Sequence, residues 1–128
     1  MMAGGCVADF DRDGDLDLGT PRAVGPVDVF RNDAGGRALQ VALRDAAGGP
    51  ATGIGAVVVI RTADGAQQMR ELQASGGFNS FSEPVAHIGL GDTAEVAAIE
   101  VRWTTGETPV VPGPLAADAR YTVRRATR

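Results

Sequence analysis

The chain has 128 residues, 44% of them apolar, which is enough for a single domain with a buried core. The net charge is −4 and all twelve basic residues are arginines, which argues against non-specific nucleic-acid binding because such binding needs a basic surface. No apolar run approaches the roughly 18 residues that span a membrane, and the single cysteine, Cys6, rules out an intramolecular disulfide.

The first 36 residues predict three short strands, the first two of which flank an acidic loop. These strands correspond to the segments GGCVADF, LDLGT and GPVDVF. Three short strands bury little apolar area alone. We therefore expect this region to pack on the rest of the chain or on a part of the protein outside it.

The remaining residues also predict strands. Two segments alternate and place three apolar side chains on one face: Leu39, Val41 and Leu43 in LQVALR, and Ile99, Val101 and Trp103 in VAAIEVRW. The apolar run AVVVIRT, residues 56–62, predicts a strand buried on both faces, and the following Asp64-Gly65 pair predicts a hairpin turn into a strand at QQMRELQ. TPVVP and RYTVRR predict two final strands. With no long amphipathic helix, the predicted class is all-β, as a small β-sandwich.

Two glycine-containing features have a structural interpretation. GIGA and GLGD lack the further glycine or the lysine of phosphate-binding loops, so we interpret them as tight turns. Phe78 and Phe81 flank Asn79 and Ser80 in a glycine-rich segment, and we expect them to pack in the core; the alternative is an exposed recognition patch.

The acidic loop ADFDRDGDLDL has an aspartate at every second position: Asp9, Asp11, Asp13, Asp15 and Asp17. Like charges this close repel one another unless solvent or a cation compensates them. Ca²⁺ takes about six to eight oxygens from a compact loop, at alternate positions and around a glycine that permits a sharp turn. Asp9, Asp11, Asp13 and Asp17 stand at positions 1, 3, 5 and 9 of such a loop, Gly14 stands at position 6, and Asp15 offers its backbone carbonyl at position 7. These residues are the predicted calcium ligands.

The loop is not an EF-hand, because position 12, which needs a glutamate, is Thr20 and the flanking segments are strands. Mg²⁺ fits less well, since it prefers fewer protein ligands and more water. The remaining alternative is a solvated acidic turn that binds no metal.

Evidence for catalysis is sparse. His87 is the only histidine, and we expect it to be structural, because there is no second histidine or reactive-looking cysteine to support zinc binding or Cys/His catalysis. We predict no catalytic residue and no organic cofactor, and the sequence favours a protein that is not an enzyme.

Several motifs resemble known families. GGCVADFDRDGDLDL resembles one calcium-binding repeat of the FG-GAP or VCBS type, found in integrin-like β-propellers. VFRNDAGGRALQVALRD resembles the passage from the last such repeat into an ASPIC/UnbV domain, and GIGAVVVI, SGGFNSFSEP, HIGLG and IEVRWTTGE are similar to motifs of that domain. The resemblance divides the chain into a partial FG-GAP/VCBS repeat at residues 1–36, which is a partial propeller blade, and an ASPIC/UnbV-like β-domain at residues 37–128.

The resemblance also implies a larger protein. One repeat cannot close a propeller ring, so we expect this chain to be the C-terminal fragment of a longer propeller protein. Its start, MMAGGCVADF, has neither the basic nor the apolar region of a signal peptide. An incomplete propeller exposes a strand edge, which predicts self-association.

The leading hypothesis is a calcium-binding interaction or adhesion module. The resemblance implies an extracellular or cell-surface location for the full-length protein, with a protein or glycan partner that the sequence does not identify. The alternative is an enzyme or accessory protein of a bacterial secondary-metabolite pathway, whose active site would need the missing propeller. A third alternative is a fragment without function.

Overall fold

The computed structural model describes residues 4–74 and 80–127, and these residues form ten strands in three sheets and no helix. In spatial order, the first sheet contains β1 (Cys6–Ala8), β2 (Asp17–Thr20) and β3 (Asp28–Phe30). The second contains β10 (Ala119–Arg125), β4 (Arg37–Asp45) and β7 (Val85–Gly91). The third contains β6 (Gln67–Glu71), β5 (Val57–Arg61), β8 (Glu95–Arg102) and β9 (Val110–Ala116). The predicted all-β class is confirmed, and the described part of the chain contains no helix that could cross a membrane.

Neighbouring strands are antiparallel except β10, which runs parallel to β4. The second sheet therefore joins the last strand of the chain to the first strand after residue 36. Its register places Gln40 of β4 between Arg120 of β10 and His87 of β7. Because side chains alternate along a strand, these three residues share the face of the sheet opposite to Leu39 and Val41.

The core is formed by side chains of the second and third sheets, in a sandwich-like arrangement. β4 contributes Leu39, Val41 and Leu43, as its alternation predicted. The core residues of β5, β7 and β8 are Val58, Ile60, Ala86, Ile88, Leu90, Val96, Ile99 and Val101. Trp103, which follows β8, is 5% exposed. The Arg125 guanidinium lies over its ring, 5.2 Å from the centroid, so the last strand covers this end of the core.

The first sheet has almost no apolar interior. Val7, Leu18 and Phe30 are paired across its three strands, and they remain 45%, 41% and 56% exposed. The side chain that this sheet does bury is a carboxylate, since Asp17 is 2% exposed. The expectation that three short strands bury little apolar area alone is therefore confirmed for the described residues.

The structure corrects two details. Gly89 and Leu90, interpreted as part of a tight turn, lie within β7, and the chain turns only after Gly91. Pairing with β4 sets this strand, which overrides the low strand preference of glycine. Phe81 is 57% exposed, so the expectation that it packs in the core was wrong. Phe78 lies outside the described residues.

Candidate metal centre

The loop between β1 and β2, residues 9–16, brings three of the five aspartates together. One carboxylate oxygen each from Asp9, Asp11 and Asp13 lies within 4.8 Å of the other two. The chain reverses at Gly14, whose φ of 102° lies in the region that favours glycine. The alternate spacing of the aspartates and the turn at the glycine therefore bring these carboxylates together, as the sequence pattern predicted.

Backbone amides within this aspartate loop orient the three carboxylates. The N–H of Asp13 donates to Asp11 Oδ1 at 3.3 Å, and the N–H of Asp15 donates to Asp13 Oδ1 at 2.9 Å. The N–H of Gly14 donates to Asp9 Oδ2 at 3.3 Å. The first two of these bonds join an aspartate to the amide two residues further along the chain, a pattern that stabilises tight turns. The other oxygen of Asp9, Oδ1, is buried and has no hydrogen-bond partner among the described residues.

Asp15 and Asp17 direct their carboxylates elsewhere. Asp15 Oδ2 accepts a hydrogen bond from the N–H of Gly35 at 2.8 Å. Asp17 accepts two, from the N–H of Phe10 at 3.0 Å and from the N–H of Asn32 at 2.8 Å. These bonds tie both ends of the loop to the segment after β3, so the Asp17 carboxylate has a structural role. Ligation through Asp17 and through the Asp15 carbonyl stays a prediction.

Arg31 is a cation of this site that the sequence interpretation missed. Its Nε lies 3.2 Å from Asp11 Oδ2, and its guanidinium lies 3.8 Å from Asp13 Oδ2. The hydrogen bond to Asp33 raises the pKa of Arg31, and the charges of Asp33, Asp11 and Asp13 raise it further. Arg31 thus compensates part of the negative charge of the aspartate loop, although it is well exposed. No sequence pattern distinguished it from the other arginines.

Two side chains of the second sheet donate hydrogen bonds to the aspartate loop. His87 Nε2 lies 2.8 Å from the Gly14 carbonyl oxygen, to which an Nε2–H donates. Gln40 Nε2 donates to Asp9 Oδ2 at 3.4 Å. Burial lowers the pKa of His87 and outweighs the charge of Asp9, which raises it, so the ring is neutral at pH 7. The contact of His87 with the Gly14 carbonyl matches the structural role expected of this histidine. No local pattern could reveal the contact of Gln40, because Gln40 and Asp9 are 31 residues apart in sequence.

A groove of about 620 Å³, here called the loop groove, lies between the aspartate loop and the outer face of the second sheet. Gln40, His87 and Arg120 line it from the sheet, and Asp9, Arg12 and Asp13 line it from the loop. Its size is within the range of pockets that bind small molecules or short peptide segments.

Comparison with known proteins assigns the family. The profile of the ASPIC and UnbV family matches residues 46–128. Cartilage acidic protein 1 of Homo sapiens and that of Mus musculus are each 39% identical to this chain over 110 residues, and that of Xenopus tropicalis is 38% identical over 110 residues. These alignments cover 81% of this chain but only 16% of each relative. The chain therefore belongs to the ASPIC and UnbV family.

Proposed function

We propose that this chain is a calcium-stabilised interaction module of an extracellular or cell-surface protein. The observation that carries the proposal is the convergence of the Asp9, Asp11 and Asp13 carboxylates. Three carboxylates this close are costly without compensation, and Arg31 supplies a single exposed positive charge. Ca²⁺ prefers oxygen ligands of this kind in a compact loop.

The donor set fits the ion at the level of individual atoms. Asp9 Oδ1 is buried without a hydrogen-bond partner, and such an oxygen is unfavourable unless a donor or a cation reaches it. Asp9, Asp11 and Asp13 would hold the ion, with the Asp15 carbonyl and Asp17 as further proposed ligands. When bound, Ca²⁺ neutralises the carboxylates and stiffens the loop. The role of the ion is thus structural, because no described residue of the loop groove forms a recognisable catalytic arrangement.

The extracellular part of the proposal is supported by the relatives and by the first sheet. The relatives are named for cartilage, a tissue with abundant extracellular matrix. Three antiparallel strands around an aspartate loop are consistent with a partial FG-GAP or VCBS blade. Extracellular calcium sites often bind in the range of about 10⁻⁴–10⁻³ M. A loop with three converging carboxylates and an exposed rim suits that range.

Calorimetric titration of the chelator-treated chain with Ca²⁺ tests this function. We expect one saturable site with a Kd on the order of 10⁻⁴–10⁻³ M, and weaker binding of Mg²⁺. The double variant Asp11→Ala/Asp13→Ala should lose this heat, because it removes two of the three converging carboxylates. Its far-UV circular dichroism should still report a folded sandwich, since neither residue belongs to the core.

The matched control is Asp92→Ala/Glu95→Ala, which removes two exposed carboxylates from the sandwich. It should bind Ca²⁺ like the unmodified chain, which separates ligation from a general change in net charge. If the unmodified chain shows no heat and no rise in melting temperature with Ca²⁺, the loop is a solvated acidic turn and the proposal is wrong. Global unfolding of the double variant would contradict the separation of loop and core.

A further inference from the structure

Arg12 is a cation of the loop groove that has no partner in the part of the chain that the structure describes. It is exposed at the tip of the aspartate loop, and its φ of 66° is uncommon for a residue other than glycine. Among the described residues it has neither an ion pair nor a hydrogen bond, although Asp11 and Asp13 are its neighbours in sequence. Those carboxylates face Arg31 instead. The Arg12 guanidinium is therefore available to a ligand of the groove.

The charges around Arg12 indicate the sign of that ligand. Four carboxylates line the groove, and three of them already have arginine partners: Glu83 pairs with Arg120, Asp118 pairs with Arg37, and Asp13 pairs with Arg31. Asp9 and Asp13 also belong to the converging cluster. A divalent cation in the loop would offset their charge, so that an anion beside Arg12 would meet less repulsion. This step rests on the proposed function, and it predicts that the calcium-loaded groove attracts an anion.

The rest of the lining favours a peptide over a sugar. The described residues provide no hydrogen-bond partner for the amide oxygen of Gln40 or for Nδ1 of His87, so both can accept a backbone N–H. Val7, Leu16 and Val85 line the same groove and can contact an apolar side chain. No aromatic ring is present among the described lining residues, so these residues offer no platform for stacking a sugar ring.

We propose that the loop groove binds a short acidic segment of a partner protein, with a carboxylate of that segment paired to Arg12 when Ca²⁺ occupies the aspartate loop. Apolar residues beside that carboxylate pack against Val7 and Leu16. In the calcium-free protein, Asp9 and Asp13 repel the same carboxylate, so the affinity falls.

The test uses the full chain labelled with ¹⁵N and a capped hexapeptide of alternating leucine and aspartate as the probe. With Ca²⁺ present, amide signals of residues lining the groove should shift saturably, and removal of Ca²⁺ should weaken binding. Arg12→Asn should raise the Kd about tenfold, because it removes a charge-assisted hydrogen bond. Asparagine is chosen because it tolerates a positive φ. Arg124→Asn is the matched control, since Arg124 is exposed on the same strand as Arg120 but does not line the groove.

The outcomes separate this proposal from the proposed function. A chain that takes up Ca²⁺ but shows no shifts, or that binds the peptide equally well after Arg12→Asn, overturns the groove proposal alone. Tighter binding of a peptide with lysine in place of aspartate, or of a glucuronate disaccharide, also overturns it. Absence of Ca²⁺ uptake in the unmodified chain overturns the proposed function, and peptide binding that is unchanged by chelator removes the coupling between the two.

Discussion

Residues 4–36 and the described residues of 37–127 are stabilised by different interactions. Every buried apolar side chain among the described residues lies between Ala38 and Ala117, in the second and third sheets or the turns that join them. In the first sheet, the aligned Val7, Leu18 and Phe30 remain exposed, and the buried side chain is Asp17. Beyond the backbone pairing that all three sheets share, the sandwich is stabilised by apolar burial, and the first sheet is stabilised by hydrogen bonds to carboxylates.

The two kinds of interaction respond differently to conditions. Apolar burial does not require a bound cation, whereas a loop of converging carboxylates gains stability from a bound cation by mass action. The contacts of Gly14 with His87 and of Asp9 with Gln40 join the two regions. We therefore expect the sandwich to fold without Ca²⁺ and the first sheet to depend on it.

The largest effect is expected from Trp103→Ala. Trp103 is 5% exposed and packs below Arg125, so its removal leaves a cavity and should lower the free energy of unfolding by about 3–5 kcal/mol. Urea unfolding followed by far-UV circular dichroism measures this effect, because the variant has lost the only tryptophan. The first sheet should unfold in the same transition, since it cannot stand alone.

Two controls bracket that result. Trp103→Phe keeps an aromatic ring beside Arg125 and removes the buried Nε1, which has no partner among the described residues. It should therefore lower the free energy of unfolding by less than Trp103→Ala does. Met69→Ala changes an exposed side chain of β6 and should cost less than about 0.5 kcal/mol. An unchanged midpoint for Trp103→Ala would show that the core does not depend on this residue.

A smaller, local effect is expected from Asp17→Ala. It leaves the partly buried N–H groups of Phe10 and Asn32 without their acceptor, which should lower the free energy of opening of the first sheet by about 2–3 kcal/mol. Native-state hydrogen exchange should show faster exchange in β1 to β3 and unchanged exchange in β5 and β8.

The matched control is Asp28→Ala, which breaks an exposed ion pair with Arg22 in the same sheet. It should lower the free energy of opening of the first sheet by less than about 1 kcal/mol. If Asp17→Ala accelerated exchange equally in β5, the two regions would form one cooperative unit, and the distinction between them would be wrong.

The contrast also explains what the sequence could predict. Alternation identified the inward faces of β4 and β8, because burial on one face of a strand imposes a period of two. The spacing of the aspartates predicted a loop that gathers carboxylates around Gly14, and the structure brings three together. Local patterns sufficed where neighbours in sequence are also neighbours in space.

Contacts between distant segments could not be predicted in this way. The amide that engages Asp17 belongs to Asn32, 15 residues further on, and the partner of Gly14 is His87, 73 residues away. β7 was missed because Gly89 and Gly91 resemble a turn, although pairing with β4 extends the strand through them. In each case at least one of the two interacting groups is a backbone group of another strand or loop, which carries no signal in the residue type.

The smallest effect concerns the contact between the two regions and its dependence on pH. Burial lowers the pKa of His87 below its ordinary value of 6.5, Arg70 lowers it further, and the charges of Asp9 and Asp15 oppose the shift. The folded protein therefore favours the neutral ring. The stability that the neutral His87 ring contributes is fully present above pH 6.5 and is lost as the pH falls through the lowered pKa of the folded state.

Nuclear magnetic resonance titration of His87 tests this directly, because it is the only histidine. The ring signals should titrate below pH 6.5, and hydrogen-exchange protection of β1 to β3 should decrease over the same interval. His87→Gln keeps a donor for the Gly14 carbonyl and should abolish this pH dependence at nearly unchanged stability above pH 7. A pKa at or above 6.5 would mean that the charges of Asp9 and Asp15 outweigh burial, and the predicted loss of stability at low pH would then be wrong.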